Sequence, residues 1–275
     1  MSGRLVCIGL ATLDSIFALP RHPAADDRVV ANELAVAGGG PAATAAVALA
    51  RLGVEVAFVG AVGDDATGAA IRDGLASEGV DVSHLAVVAG ARSPQSSILV
   101  GDGGRAIVNY PGSLPALVLN DEIRDLCRGA DWVHVDHAGY AAAPRDARLS
   151  IDGGNPIPGL DLDGVALYAP TQEGLGRDFG TAEAALEAGA QLVVVTRGAD
   201  GSVAYTGDEV VDVPAQPVDA VSTLGAGDVF HGAILAALVR ERPLADALAF
   251  ANRAAALSCR ALDGRSAIPT FEEVE

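Results

Sequence analysis

The chain has no lysine. All 18 of its basic residues are arginine, which excludes a P-loop lysine on nucleotide phosphates and a lysine Schiff base to a carbonyl or to pyridoxal phosphate. Positive charge is scarce altogether: 36 acidic residues leave a formal charge of −18. No clustered cationic footprint for nucleic acid or an anionic membrane surface is expected, and small molecules are the expected partners. Cysteine is scarce too. Cys7, Cys127 and Cys259 are widely spaced and without a CxxC pair, which excludes a disulfide framework or a zinc site and points to reduced thiols in the cytoplasm. No run approaches the ~18 apolar residues of a membrane helix. The opening MSGRLVCIGLATLDSIF is interrupted by Asp14 and has no leader cleavage pattern, so no secretory leader is expected.

What is present is a 275-residue chain, 50% hydrophobic, enough for one large α/β domain over residues 1–275. Apolar runs at 5–10, 54–60, 131–136, 148–152, 165–170 and 191–198 read as buried strands. Helical patterns stand at 41–53, 65–79 and 181–190, and two closing helices are expected at about 226–239 and 244–262. Strand and helix alternate, so the sheet is expected to be mostly parallel. Two stretches break the rhythm. Residues 18–40 look extended, and 93–112 carry two β-rich runs around GDGG, a hairpin pattern. Paired, segments 12–37 and 93–112 would form a small β-lid that closes over a ligand and offers a dimer surface.

The motif richest in chemistry is STLGAGDVFHGA, residues 222–233. A small-residue turn feeding a helix presents bare N–H groups and the positive end of the helix dipole, a site for phosphate. Asp228 beside that turn reads in two ways: as a plain helix cap, or as a base that takes the proton of a hydroxyl attacking a phosphoryl group held by Gly225, Ala226 and Gly227. One capping residue would not need three neighbours with little or no side chain, which favours the base. A second turn, GGGPAATAA (38–46), lacks the dinucleotide G-x-G-x-x-G pattern because Ala43 stands at its third glycine. A third, VVVTRGADGSVAY (193–205), is a nucleotide-facing loop or a plain strand connection. His134 and His137 flank Asp136 without a third ligand, so structural or substrate-contact roles are expected, and His231 is expected to be packed.

GGGPAATAAVALARLG, VGDDATG, VVVTRGADGSV and STLGAGDVFHGA, in this order along essentially the whole chain, closely resemble the ribokinase-like, PfkB-type carbohydrate kinases. GGGPAATAA, SPQSSILV, VNYPGS, GDVFHGA and DGRSAIP look most like the sulfofructose kinase branch, with ketohexokinases next. The resemblance implies a ribokinase-like αβα sandwich with a β-sheet lid that often dimerises, ATP with Mg²⁺, and transfer to a sugar hydroxyl. It makes Asp228 the base and Gly225, Ala226 and Gly227 the anion hole. It sets Asp14, Gly39 and Gly40 on the sugar hydroxyls, with Asn109 reaching in from the lid and Arg28 and His137 at the far end. Thr196, Gly198, Gly201 and Asn252 would surround the nucleotide. Two departures stand out. Ser222, Thr223 and Leu224 replace the family's Asp-Thr-Thr and lack the carboxylate of its monovalent-cation site, and Thr171, Glu173 and Gly174 replace its Asn-x-x-Glu magnesium motif, so no metal ligand is assigned. The implied activity is ATP-dependent phosphorylation of a ketose or a derivative such as 6-deoxy-6-sulfofructose. A nucleoside kinase of the same fold and a non-catalytic ligand-binding regulator are the alternatives.

Overall fold

The computed structural model of the chain describes residues 3–101 and 104–275. From the N-terminus, β1 (Arg4–Ile8), β2 (Thr12–Ala18) and β3 (Glu33–Gly39) lead into α1 (Pro41–Arg51), followed by β4 (Glu55–Gly63) and α2 (Ala66–Ser77). Then come β5 (Leu85–Val88), β6 (Gln95–Gly101), β7 (Gly104–Tyr110) and α3 (Asp121–Arg128). The second half runs β8 (Trp132–Val135), β9 (Leu149–Asp152), β10 (Leu167–Ala169), α4 (Gln172–Asp178), α5 (Ala182–Glu187) and β11 (Val193–Thr196). It closes with β12 (Ser202–Tyr205), β13 (Val210–Val213), α6 (Ala226–Leu238), α7 (Leu244–Ser258) and α8 (Phe271–Val274). Asp102 and Gly103 of the expected GDGG turn lie outside the described residues.

Among the described residues the strands form two sheets: one of nine, in the order β13-β12-β11-β10-β9-β8-β1-β4-β5, and one of four, in the order β3-β2-β6-β7. Within the large sheet only the β11–β12 and β12–β13 pairings are antiparallel. β1, β4, β10 and β11 are apolar on both faces, as parallel strands covered on both sides are. Leu5 and Cys7 of β1 face one core with α1, α6 and α7, whereas Val6 and Ile8 face a second core with α3, α4 and α5. This is the ribokinase-like α/β arrangement expected, a large mostly parallel sheet between helices with a small separate sheet. No helix among the described residues is long and apolar enough to cross a membrane.

The differences from the expected elements have local causes. In α4, Gly174 and Gly176 lower helix propensity, and the helix forms because Thr171 caps it, its Oγ1 accepting from the Gly174 N–H at 3.0 Å. The last long helix stops at Ser258, where turn bonds take over at Cys259 and Arg260. Between β2 and β3 the chain runs irregularly through Pro20 and Pro23, residues that cannot donate to a ladder.

One contact between helices positions everything that follows. α1 buries an almost unbroken run of small residues from Ala42 to Ala48, and α6 meets it at Gly232. A Cβ there would lie 2.6 Å from the Ala45 carbonyl oxygen and 2.8 Å from Ala48 Cβ. The absence of side chains lets the two backbones approach and brings the N-termini of α1 and α6 side by side.

Candidate active site

A cavity of about 550 Å³ opens at the carboxyl ends of the parallel strands, where open α/β sheets hold ligands. Leu10 after β1, His137 after β8, Asp152 at the end of β9 and Thr196 at the end of β11 line one side. The inner face of the four-stranded sheet lines the other. Register explains which residues it presents. Asp14 pairs with Ser96, and Ser96 with Asn109, so these three polar side chains share one rung. Ile16, Ile98 and Ile107 form the next, and Arg105 follows one rung further. Alternation sends the intervening residues, Val36, Leu34, Val108 and Tyr110 among them, to the outer face.

Several carboxylates hold the frame. Asp136 accepts the N–H groups of Leu10, Ala42, Ala138 and Gly139 at 2.8–3.1 Å, tying the ends of β1 and β8 to the start of α1. Asp65 caps α2 through the Gly68 N–H and takes both the N–H and the hydroxyl of Ser93, which anchors the strand leading into β6. Asp14 accepts from the Thr12 hydroxyl at 2.7 Å. Burial raises its carboxyl above the ordinary range, against the Thr12 and Ser96 hydroxyls and the Arg265 charge.

The α6 N-terminus faces this polar rung. Gly225 is its N-cap with φ of 73°, a left-handed conformation that L side chains rarely adopt, and no side chain caps the helix. Asp228 is therefore not a cap, and the first-turn N–H groups keep no side-chain partner. A Cβ at Gly227 would meet nothing within 4 Å, so the turn is open toward the cavity. Half-buried Asp228 lies at its edge, with its pKa raised to about 7 by burial first and by the neighbouring Asp152 second. Arg265, only 7% exposed, crosses behind Gly38 and Gly39. It donates to the Gly39 carbonyl at 2.8 Å and the Thr44 hydroxyl at 3.2 Å. Burial lowers its guanidinium to about 10, while Asp14 and Asp228 hold it charged. Arg105 reaches across from β7 to donate to the Thr223 hydroxyl at 2.8 Å, joining the small sheet to the glycine turn.

Of the residues singled out in the sequence, Asp14, Gly39, Gly40, Asn109, His137, Thr196, Gly225, Gly227 and Asp228 line the cavity, and Ala226 sits within the same turn. The others do not. Gly198 and Gly201 shape the turn between β11 and β12, and buried Asn252 spends its amide on the carbonyls of Val213 and Pro214. Arg28 is exposed in the irregular segment between β2 and β3, where Asp27 pairs with Arg21. Thr171 caps α4 through its Oγ1 at the rim of the cavity, and Glu173 is exposed and does not line it. Buried His134 meets the Ser150 hydroxyl, Nδ1 lying 3.1 Å from its oxygen. Ser96 and Arg265 stand inside SPQSSILV and DGRSAIP, stretches read for family likeness without a role for either residue, and Arg105 and Asp152 join the site as well. Only Asp152, an acid ending a parallel strand, had a position that could have flagged it.

The geometry agrees with the likeness to known proteins. The profile of the pfkB family carbohydrate kinases matches residues 2–147 and 174–270. The chain is 29% identical to a ribokinase of Bacillus subtilis over 298 residues, covering 99% of this chain and 98% of that one. It is 30% identical to an ATP-dependent ribose-1-phosphate kinase of Halopiger xanaduensis, covering 98% and 96%. Among solved structures, Arabidopsis thaliana ribokinase complexed with ribose and ATP superposes with a TM-score of 0.85 at 25% identity, over 100% of this chain and 98% of that one.

Proposed function

The chain belongs to the pfkB family of carbohydrate kinases, and from that premise we propose that it transfers the γ-phosphoryl group of ATP to a hydroxyl of a monosaccharide bound between the small sheet and the α6 N-terminus. The observation that carries this reading is the pairing of an open, uncapped glycine turn with a half-buried carboxylate whose pKa is about 7. A base works best when its pKa lies near the working pH. Asp14, Asn109 and the backbone at Gly39 and Gly40 hold the sugar. Asp228 accepts the proton of the attacking hydroxyl, the new P–O bond forms at that oxygen, and ADP departs with the pair from the broken bond. The turn at 225–227, with the helix dipole, holds the phosphoryl oxygens, and Arg265 and Arg105 balance the charge.

Magnesium fits this arrangement as a companion of the nucleotide. It keeps water and phosphate oxygens as most of its ligands, and the neutral oxygens of Asn155, Thr171 and Thr196 lining that end of the cavity suit it. When bound, it shields the phosphates.

For the substrate we propose a neutral ketose or pentose. An anionic ketose such as 6-deoxy-6-sulfofructose needs a cation at its far end, and Arg28, the residue expected there, does not line the cavity. The Ile16, Ile98 and Ile107 rung favours a nucleoside as the second reading, since it could pack a base. Two chains would pair through the outer face of the small sheet, and three buried free thiols suit the cytoplasm. ADP release measured with ribose, fructose, fructose 6-phosphate, 6-deoxy-6-sulfofructose and adenosine tests the reading. The highest kcat/KM is expected on a neutral sugar. A preference for the sulfonate or adenosine replaces the substrate, and no ADP release with any of them overturns the activity.

A further inference from the structure

Beneath Asp228 lie a second carboxylate and an imidazole that the proposed chemistry does not use. Asp152 ends β9 and is 4% exposed, and His231, one helical turn after Asp228, is 5% exposed. Asp152 Oδ2 and His231 Nδ1 are 3.5 Å apart, and one ligand atom from each of Asp152, Asp228 and His231 lies within 4.8 Å of the others. At that distance Nδ1 has an ionic neighbour but no hydrogen-bond partner, while the Ala169 carbonyl accepts from the ring. A ring protonated on both nitrogens would have a donor for each of these two oxygens. Such a ring has no lone pair left for a metal ion, and the three side chains would then stand as an ion pair beneath a carboxylate.

We propose that Asp152 and His231 form a charge-neutral pair that sets when Asp228 can act as a base, His231 being a positioning residue whose positive charge cancels that of Asp152. The inference rests on the assignment of Asp228 as the base. Two buried carboxylates this close hold a proton between them unless a cation intervenes. The other charged groups facing Asp228 are Asp136 at the end of β8 and Arg265. α1 and α7, packed on α6, bring alanine and other apolar side chains. His231 also faces His134 of β8, with ring centroids 5.5 Å apart. Burial and the His231 charge hold His134 down at about 3, so it is neutral. Burial disfavours the His231 cation, and Asp152 with Asp228 outweighs it, which raises the ring above the ordinary histidine range.

The charge balance gives the test. His231→Gln leaves Asp152 uncompensated, so the acid limb of the kcat–pH profile moves up by about one unit or more. Asp152→Asn combined with His231→Gln restores neutrality and returns the limb to its wild-type position, and Asp152→Asn alone produces no upward shift. A single His231→Gln variant with an unmoved limb, or a double variant that stays where the single one is, overturns the proposal. Histidine-ring NMR of the free protein needs neither substrate nor a stable His231 variant. An imidazolium at position 231 at pH 7 is expected in the wild type, and a neutral ring there overturns the pair. A wild type that phosphorylates no sugar overturns the kinase reading instead, and the NMR arm still decides whether the pair exists.

Discussion

A carboxylate at the mouth of α6 is costly to keep ionised, because burial and Asp152 lift its pKa from 3.8 to about 7. The same shift that makes Asp228 a good proton acceptor makes it a stability liability. Between those two values the folded chain keeps a proton that the unfolded chain releases, so the stabilising contribution is present below about pH 3.8 and is lost as pH rises through about 7. Asp228→Asn therefore acts in opposite directions on function and stability. kcat falls by roughly 10²–10⁴, while the melting temperature at pH 8 rises above that of the wild type and the two converge near pH 4. Kinetics and calorimetry on one preparation check both halves. Unchanged turnover, or a variant less stable at pH 8, removes the role assigned to Asp228. Its position beside an open turn was legible in STLGAGDVFHGA, where three small residues precede it. Arg265, by contrast, sits 37 residues further on in a segment with no periodicity, and only the fold brings it behind Gly39.

At the scale of elements, the site depends on how closely α1 and α6 approach. Gly232→Ala inserts a Cβ at 2.6 Å from a backbone oxygen, which cannot move as a flexible side chain would. The helices must separate at a cost of about 1–3 kcal/mol, the usual price of overpacking, read as a lower urea midpoint. The same separation shifts the α6 N-terminus, so KM for ATP rises as well. A stability loss without a change in KM would show that the contact supports the fold alone. The small sheet is organised differently, by register. Its inner face alternates Asp14 with Ile16 and Ser96 with Ile98, a period of two visible in the sequence. The β6–β7 pairing was legible as a hairpin around GDGG, whereas the parallel pairing of β2 and β6 across 76 intervening residues was not visible.

At the scale of the whole molecule, the outer face of the small sheet is, among the described residues, an apolar surface without cover. On the outer face of the small sheet, Leu34 is 56% exposed, Val36 60% and Val108 66%, on a sheet whose edges are also open, a combination that proteins usually cover. Pairing with a second copy through this face is expected to give a dimer at micromolar concentration, and Val36→Glu is expected to return it to a monomer. Light scattering with both proteins checks this; a monomeric wild type removes the dimer and leaves the cavity as described. The net charge of −18 makes such an apolar contact all the more necessary, because two such chains repel each other.

By itself the sequence determined the αβα layering, the small extra sheet, the absence of lysine chemistry and the position of Asp228 after an open turn. Each of these is written in neighbouring residues: periodicity, a glycine run, a missing residue type. The tertiary structure alone decided that Arg28 stays outside the cavity, that Asn252 holds a loop, that Arg265 reaches Gly39 and Arg105 reaches Thr223, and that Asp152 lies beside His231. These depend on contacts between distant segments and on burial. A charge in an open chain has water around it, and only folding replaces that water with the particular neighbours that set its pKa.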